Sequence, residues 1–178
     1  MYCCSPKREP VGVALLERVV RAMDIILHIG AHRTGTTSYQ NYMRRAGDEL
    51  LARGIAFWGP ETTRKGSLSN IYPDRNGRHG EASRSPECGP LEAPLNAVRA
   101  SGARCLIVSD ENFMGSMRNN IRQMALYPQV GDRVVRVTQS FGSGISTILI
   151  SPRSLENYWC SALAFCVKRG VPVPDLQT

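Results

Sequence analysis

Short apolar segments alternate with segments of helical periodicity along most of the chain. Residues 24–29 are apolar and rich in β-branched side chains, which predicts a buried strand. From Thr36 to Leu50 the apolar positions recur every three or four residues, which predicts a helix that ends near Gly54. A second short strand is predicted at residues 55–58.

The second half of the chain repeats this alternation. The segments predicted there are a helix from Leu91 to near Gly102, a strand at 104–109, helices at 113–124 and 130–141, a strand at 145–150, and a last helix from an N-cap at Ser154 to Gly170. Alternating strands and helices predict a three-layer α/β fold, with a parallel sheet between helices on both faces.

Two segments break the alternation. Residues 1–22 contain early prolines and precede Met23, so they are predicted to be an N-terminal extension, either disordered or a short helix. Residues 23–178 are predicted to form one domain. Within it, residues 59–90 carry four prolines and five glycines, which predicts a long exposed loop. Such a loop is either functional, as a lid or an acceptor-binding loop, or disordered.

Composition excludes several classes of protein. Hydrophobic residues make up 42% of the 178, too many for a wholly disordered chain, and no apolar run approaches the roughly 20 residues of a membrane span. The formal net charge is +7, and only three of the 22 basic residues are lysines. Arginine suits bidentate capture of phosphate or sulfate. No dense basic run occurs, so nucleic acid is not an expected partner.

Cysteine usage favours a cytoplasmic protein with reduced thiols. The six cysteines form no C-x-x-C pair, and with only three histidines the spacing of a structural zinc site is absent. Glu17 and Arg18 interrupt the apolar residues near the N-terminus, which argues against a secretory signal. We therefore expect a cytoplasmic location and no metal.

The strongest candidate site follows the first strand. Gly30 and Gly35 have the spacing of a P-loop, but Thr36 stands where a P-loop has its lysine, and the nearby cation is Arg33. A glycine-containing turn into a helix directs backbone N–H groups and the helix dipole at one point. The hydroxyl donors of this segment are those of Thr34, Thr36, Thr37 and Ser38. The segment is therefore predicted to bind a phosphate.

The segment from His28 to Ser38 resembles the 5′-phosphosulfate loop of the sulfotransferases, with Arg33 at the position of that family's lysine. These enzymes transfer a sulfuryl group from 3′-phosphoadenosine 5′-phosphosulfate (PAPS) to an acceptor. The resemblance implies that the co-substrate is bound by Arg33, Thr34, Gly35, Thr36, Thr37 and Ser38. It also implies that Arg33 acts in catalysis, on the departing phosphate.

A second motif of the same family follows the strand at 145–150. Arg153 leaves that strand and Ser161 comes eight residues later in the next helix. This arginine–serine pair resembles the one that contacts the 3′-phosphate in sulfotransferases. The resemblance therefore implies that Arg153 and Ser161 bind the second phosphate of PAPS.

Two acids end the strand at 104–109. Sulfuryl transfer needs a base for the acceptor hydroxyl, and Glu111 is the first candidate, with Asp110 second. Alternatively, Asp110 and Asn112 cap the next helix and leave only Glu111 for catalysis. The same apolar run followed by Asp-Glu is also typical of a Walker B segment, in which Asp110 would hold Mg²⁺. His32 could touch the departing phosphate, His28 is expected in the core, and His79 has no assigned role.

The predicted function is therefore a PAPS-dependent sulfotransferase that acts on a hydroxyl of a small molecule, lipid or carbohydrate, without a metal. Sulfotransferases usually continue into a further strand and a basic, glycine-containing loop, whereas this chain ends at Thr178. We therefore expect a truncated member of the family. Two alternatives remain open, a non-catalytic nucleotide-binding protein and a divergent P-loop NTPase or kinase. The sequence does not predict an oligomeric state.

Overall fold

Strands and helices alternate in a computed structural model that describes residues 23–65 and 91–173. The strands within these residues are β1 (Asp24–His28), β2 (Ile55–Trp58), β3 (Cys105–Ser109) and β4 (Ile145–Leu149). The α-helices are α1 (Thr36–Arg45), α2 (Gly47–Ala52), α3 (Pro60–Thr63), α4 (Glu92–Ala100), α5 (Met117–Gln123), α6 (Val130–Phe141) and α7 (Leu155–Val167). Short 3₁₀ helices occupy Glu111–Phe113 and Gly142–Gly144.

The four strands form one parallel sheet in the order β2-β3-β1-β4. In the register of β1 and β3, Asp24 lies opposite Cys105 and His28 opposite Ser109. All four carboxyl ends therefore lie along the same edge of the sheet. The predicted α/β fold with a parallel sheet is confirmed.

One face of the sheet carries most of the apolar core. The fully buried strand side chains on this face are those of Ile25, Leu27, Leu106 and Val108. Side chains of α4 and α6 cover them. On the opposite face α1 lies against β1 and β3, where the Tyr39 ring contacts the His28 ring edge-on at 5.1 Å between centroids. Helices therefore lie on both faces, as predicted.

Two predicted helices differ from those observed. The helix expected from Thr36 to Gly54 is divided into α1 and α2, with the break at Ala46 and the poor helix former Gly47 directly after it. The helix expected at 113–124 begins only at Met117, because Gly115 has a φ of +144° that no helix accommodates. Residues 1–22 and 66–90 of the predicted extension and loop lie outside the described residues.

The connections between strands mark a crevice at the edge where the strands end. The connection that leaves β1 runs through α1 toward β2, whereas the one that leaves β3 runs through α6 on the other face toward β4. The chain thus departs in opposite directions from two neighbouring strands. Open α/β sheets bind their ligands at such a point, outside the carboxyl ends of the strands.

None of the helices in the described part of the chain is long and apolar enough to cross a membrane. The cysteines of the described residues, Cys105, Cys160 and Cys166, are free thiols.

Candidate active site

The loop between β1 and α1 is shaped by two glycines with positive φ. Gly30 has a φ of +66° and Gly35 a φ of +85°. A Cβ on Gly30 would lie 3.0 Å from the Cβ of Glu111, so a larger residue there would push apart the loop and the acid. Thr34 donates from Oγ1 to the carbonyl of Ala31 at 2.7 Å, which closes the turn.

Several backbone N–H groups of this loop have no acceptor in the described part of the chain. Those of Ala31 and His32 donate to the Ser151 carbonyl and the Tyr127 hydroxyl. By contrast, the N–H groups of Arg33 and of residues 35–37 find no acceptor among the described residues. No side chain of residues 23–65 or 91–173 caps α1 at its first turn. The loop therefore presents unpaired donors and the positive end of a helix dipole, an arrangement that suits an anion.

The second predicted anchor lies directly beside this loop. Arg33 donates from Nε to Oγ of Ser161 at 2.8 Å, and Arg153 donates from Nη1 to the carbonyl of Arg33. These two contacts join residues that lie 128 and 120 positions apart in the chain. The guanidinium of Arg33 lies on α7, with its Cζ 5.2 Å from the centroid of the Phe165 ring.

The two acids after β3 lie in different surroundings. Asp110 is fully buried and accepts hydrogen bonds from Thr63 Oγ1 at 2.6 Å, from Arg64 Nε at 2.9 Å and Nη2 at 2.7 Å, and from the Asn112 N–H at 2.9 Å. Burial acts to raise the pKa of Asp110, but the hydrogen bonds and charge of Arg64 outweigh it and hold the pKa below its ordinary value. Through the Asn112 N–H, Asp110 caps the 3₁₀ helix at Glu111–Phe113. The α-helix that follows, α5, is capped by Ser116 and not by Asp110 or Asn112, which corrects the capping alternative.

Glu111 points its carboxylate at a cavity. Its Oε2 accepts from Nε2 of Gln40 at 2.9 Å, and its Oε1 lies 3.1 Å from Nη2 of Arg64. Its side chain is 14% exposed. Because both oxygens are held, the carboxylate has a fixed orientation beside the loop.

The cavity next to Glu111 lies between α1, α2, β2 and α3 and has a volume of about 530 Å³. Apolar lining comes from Leu51, Ile55 and Phe57, while Thr37 and Gln40 contribute polar groups. A cavity of this size accommodates a small organic molecule.

His28 lies at the end of β1 within the sheet. It is 4% exposed, and its ring nitrogens lie 2.8 Å from Oγ of Ser109 and 3.2 Å from Oγ of Ser151. Burial lowers the pKa of His28, and the charge of Glu111 offsets only part of that effect. The position of His28 agrees with the expected core role.

His32 is packed behind the loop. Its Nδ1 lies 2.8 Å from the Tyr127 hydroxyl, and its Nε2 lies 3.1 Å from the side-chain amide of Asn112. Burial lowers the pKa of His32 as well, despite the nearby charges of Glu111 and Asp110. The neutral ring therefore fixes the loop to the segments at 112 and 127. His79 lies outside the described residues.

Sequence reasoning missed two residues that hold the acids. Arg64 falls in the segment predicted as a long loop, where nothing distinguishes it from other polar residues. Gln40 is 8% exposed and lies three positions before the buried Met43, on the same helix face. A polar residue in that stripe, so close to the loop after β1, was the available signal.

The described residues contain no group of three or more His, Cys, Asp or Glu side chains placed to hold a metal ion. The pairing of Asp110 with Arg64 also disfavours Asp110 as a magnesium ligand of Walker B type, because its carboxylate is already neutralised. Neither the models of known protein families nor the curated protein sequences include a match to this chain.

Proposed function

We propose that this protein is a sulfotransferase that moves a sulfuryl group from PAPS to a hydroxyl of a small acceptor. The observation that carries the proposal is the contact between the two sequence motifs. Arg33 of the loop bonds to Ser161, and Arg153 bonds back to the loop. A nucleotide with phosphates at both the 5′ and 3′ positions needs two anion sites that are close together.

The two sites bind different phosphate groups of the co-substrate. The N–H groups of residues 35–37 and the hydroxyls of Thr36, Thr37 and Ser38 bind the 5′-phosphosulfate, with Thr34 and Gly35 shaping the turn. Arg153 and Ser161 bind the 3′-phosphate. This binding uses backbone dipoles and arginines, so it requires no metal.

Glu111 is the general base. Gln40 and Arg64 orient its carboxylate toward the cavity, from which the acceptor hydroxyl approaches. The hydroxyl oxygen bonds to sulfur, its proton passes to Glu111, and the bond between sulfur and the bridging oxygen breaks. The charge that develops on the departing 5′-phosphate is stabilised by the loop N–H groups and the N-terminus of α1.

The cavity favours an uncharged acceptor. Its charged lining side chains pair with one another, Arg44 with Glu61 at 2.7 Å and Arg64 with Glu111 at 3.1 Å. The remaining wall is partly apolar through Leu51 and Phe57. An alcohol with an apolar body therefore fits better than an anionic one.

The decisive test is transfer from radiolabelled PAPS to a panel of uncharged alcohols, phenols and sugars. We expect Glu111→Gln to lower the transfer rate by roughly 10²–10⁴, since glutamine cannot accept the proton. Affinity for 3′-phosphoadenosine 5′-phosphate should be unchanged. Glu61→Gln is the matched control, because Glu61 lines the same cavity but is exposed at its rim. Full activity in Glu111→Gln would contradict the assignment of the base.

Thermal stability with nucleotides separates the alternatives. A ligand at 100 times its dissociation constant adds about 2.7 kcal/mol to the free energy of unfolding. We expect 3′-phosphoadenosine 5′-phosphate to stabilise the chain more than ADP does, without metal. Stabilisation without transfer to any acceptor would identify a non-catalytic nucleotide-binding protein. Greater stabilisation by Mg·ATP would identify an NTPase or kinase.

A further inference from the structure

Three arginines gather beside the loop on one side of α7. Arg33 and Arg169 both lie over the Phe165 ring, and Arg153 bonds to the carbonyl of Arg33. In the described part of the chain, no carboxylate lies within ion-pair distance of any of the three. Three neighbouring positive charges with no counter-charge among the described residues repel one another, and a bound anion would relieve that repulsion.

The Phe165 ring fixes two of these arginines. Its centroid lies 5.2 Å from Cζ of Arg33 and 3.6 Å from Cζ of Arg169. Ser161, Phe165 and Arg169 are spaced by four residues in and just after α7, so they share one face of the helix. Stacking holds a guanidinium plane while leaving its N–H groups available for other bonds.

Arg33 keeps most of its donors for a ligand. Its Nε donates to Oγ of Ser161, and its two Nη atoms have no hydrogen-bond partner among the described residues. The φ of Arg33 is +67°, a left-handed conformation that directs this side chain from the loop to α7. The guanidinium of Arg33 therefore lies beside Ser161, one of the two residues proposed to bind the 3′-phosphate.

We propose that Arg33 and Arg169, which both lie over the Phe165 ring, bind the 3′-phosphate of the nucleotide together with Arg153 and Ser161. In this assignment Arg33 is a binding residue for the second phosphate and not the cation of the leaving group. The assignment rests on the proposed function for the identity of the nucleotide. It makes the 3′-phosphate, held by three arginines, the main determinant of nucleotide specificity.

The assignment also changes the account of the transfer step. The negative charge that forms on the departing 5′-phosphate is then met by the N–H groups of residues 35–37 and by the dipole of α1, with no side-chain cation from the loop. Loss of Arg33 should therefore weaken nucleotide binding more than it lowers the rate of sulfuryl transfer from the bound nucleotide.

The experiment compares two nucleotides by calorimetry on the full chain. Adenosine 3′,5′-bisphosphate carries both phosphates, and AMP carries only the 5′-phosphate. We expect Arg33→Ala to weaken binding of the bisphosphate by about tenfold or more and binding of AMP by less than about twofold. The reason is that a charge-assisted phosphate contact is lost for the bisphosphate alone. Phe165→Leu should show the same pattern in a weaker form, because leucine keeps the packing but removes the stacking surface.

Arg45→Ala is the matched control. Arg45 is an exposed arginine at the other end of α1, so its removal changes the net charge equally without touching the site. Circular dichroism and the melting temperature establish that each variant folds. Arg33→Lys, which keeps the charge but not the planar fork, should recover only part of the affinity for the bisphosphate.

Equal losses of affinity for the bisphosphate and for AMP in Arg33→Ala would overturn the assignment. Equal affinity of the parent chain for the two nucleotides would overturn it as well. The proposed function fails on a different measurement. If no acceptor is sulfated but the bisphosphate shows the expected dependence on Arg33, the 3′-phosphate site stands and the transfer activity does not.

Discussion

At the scale of single residues, the most consequential interaction is that between Asp110 and Arg64. The carboxylate of Asp110 is fully buried, whereas the side chain of Arg64 is 41% exposed. Water can therefore solvate Arg64 if its partner is lost, but it cannot solvate Asp110. The two halves of this pair should respond very differently to substitution.

We expect Arg64→Ala to lower the free energy of unfolding by about 3 kcal/mol, because the buried carboxylate of Asp110 loses its charged partner and the two hydrogen bonds from it. Asp110→Asn should lower the free energy of unfolding by only about 1–2 kcal/mol, since Arg64 can then bind water and Glu111. Urea denaturation measures both values.

Arg44→Ala is the control for this comparison. Arg44 also pairs with a carboxylate, Glu61, but both side chains are more than half exposed, at 55% and 69%. Such pairs contribute about 1 kcal/mol or less. A loss in Arg64→Ala no larger than that in Arg44→Ala would show that the buried acid is protonated or hydrated in the folded chain.

At the scale of elements, two serines at helix N-caps act differently. Ser116 accepts the Asn119 N–H at 3.3 Å and caps α5. Ser154 precedes α7, but its hydroxyl accepts from Nδ2 of Asn157 and no side chain caps the backbone there. The cap of α5 matters to the site because Nδ2 of Asn120 donates to the Tyr158 hydroxyl on α7 at 2.6 Å.

We therefore expect Ser116→Ala to lower the free energy of unfolding by about 1 kcal/mol, since one helix N–H loses its acceptor. Ser154→Ala should change it by less than about 0.5 kcal/mol. Chemical denaturation of the two variants side by side makes the comparison. If Ser154→Ala cost as much as Ser116→Ala, its hydroxyl would be capping α7 in solution.

The elements themselves were largely predictable from the sequence. β2 and α6 have the predicted bounds, because Trp58 and Phe141 each end an apolar pattern directly before a glycine. The positions of the loop after β1 and of Arg153 after β4 also follow from the local pattern of strands and helices. The contacts of Arg64 and Gln40 do not, because nothing local tells which distant acid a polar side chain will meet.

At the scale of the whole molecule, two buried histidines couple folding to pH. His28 and His32 are 4% and 5% exposed, and burial lowers the pKa of both. The negative charges of Glu111, and of Asp110 for His32, oppose this shift, while Arg64 adds to it at His32. Below about pH 6.5 the unfolded chain therefore binds protons at these histidines more readily than the folded chain does.

The free energy of unfolding should therefore be greatest above about pH 6.5 and should fall as the pH is lowered toward 5. Each histidine contributes at most about 1.4 kcal/mol per pH unit to that slope. Denaturation at a series of pH values measures it. In His28→Gln the slope should decrease even if the overall stability is lower, and an unchanged slope would mean that His28 is charged in the folded protein.

The central position of β1 has a consequence for how the chain folds as it is synthesised. β1 is made before the other described strands, yet its neighbours are β3 and β4, whose paired residues lie 81 and 121 positions later in the chain. β1 and β2 are not adjacent, so among the described strands no neighbouring pair exists until β3 has left the ribosome. Such long-range pairing slows folding and leaves apolar strands exposed meanwhile. The loop after β1, which depends on β1 being held in place, is therefore made before the strands that fix it and acquires its shape only after they have paired with β1.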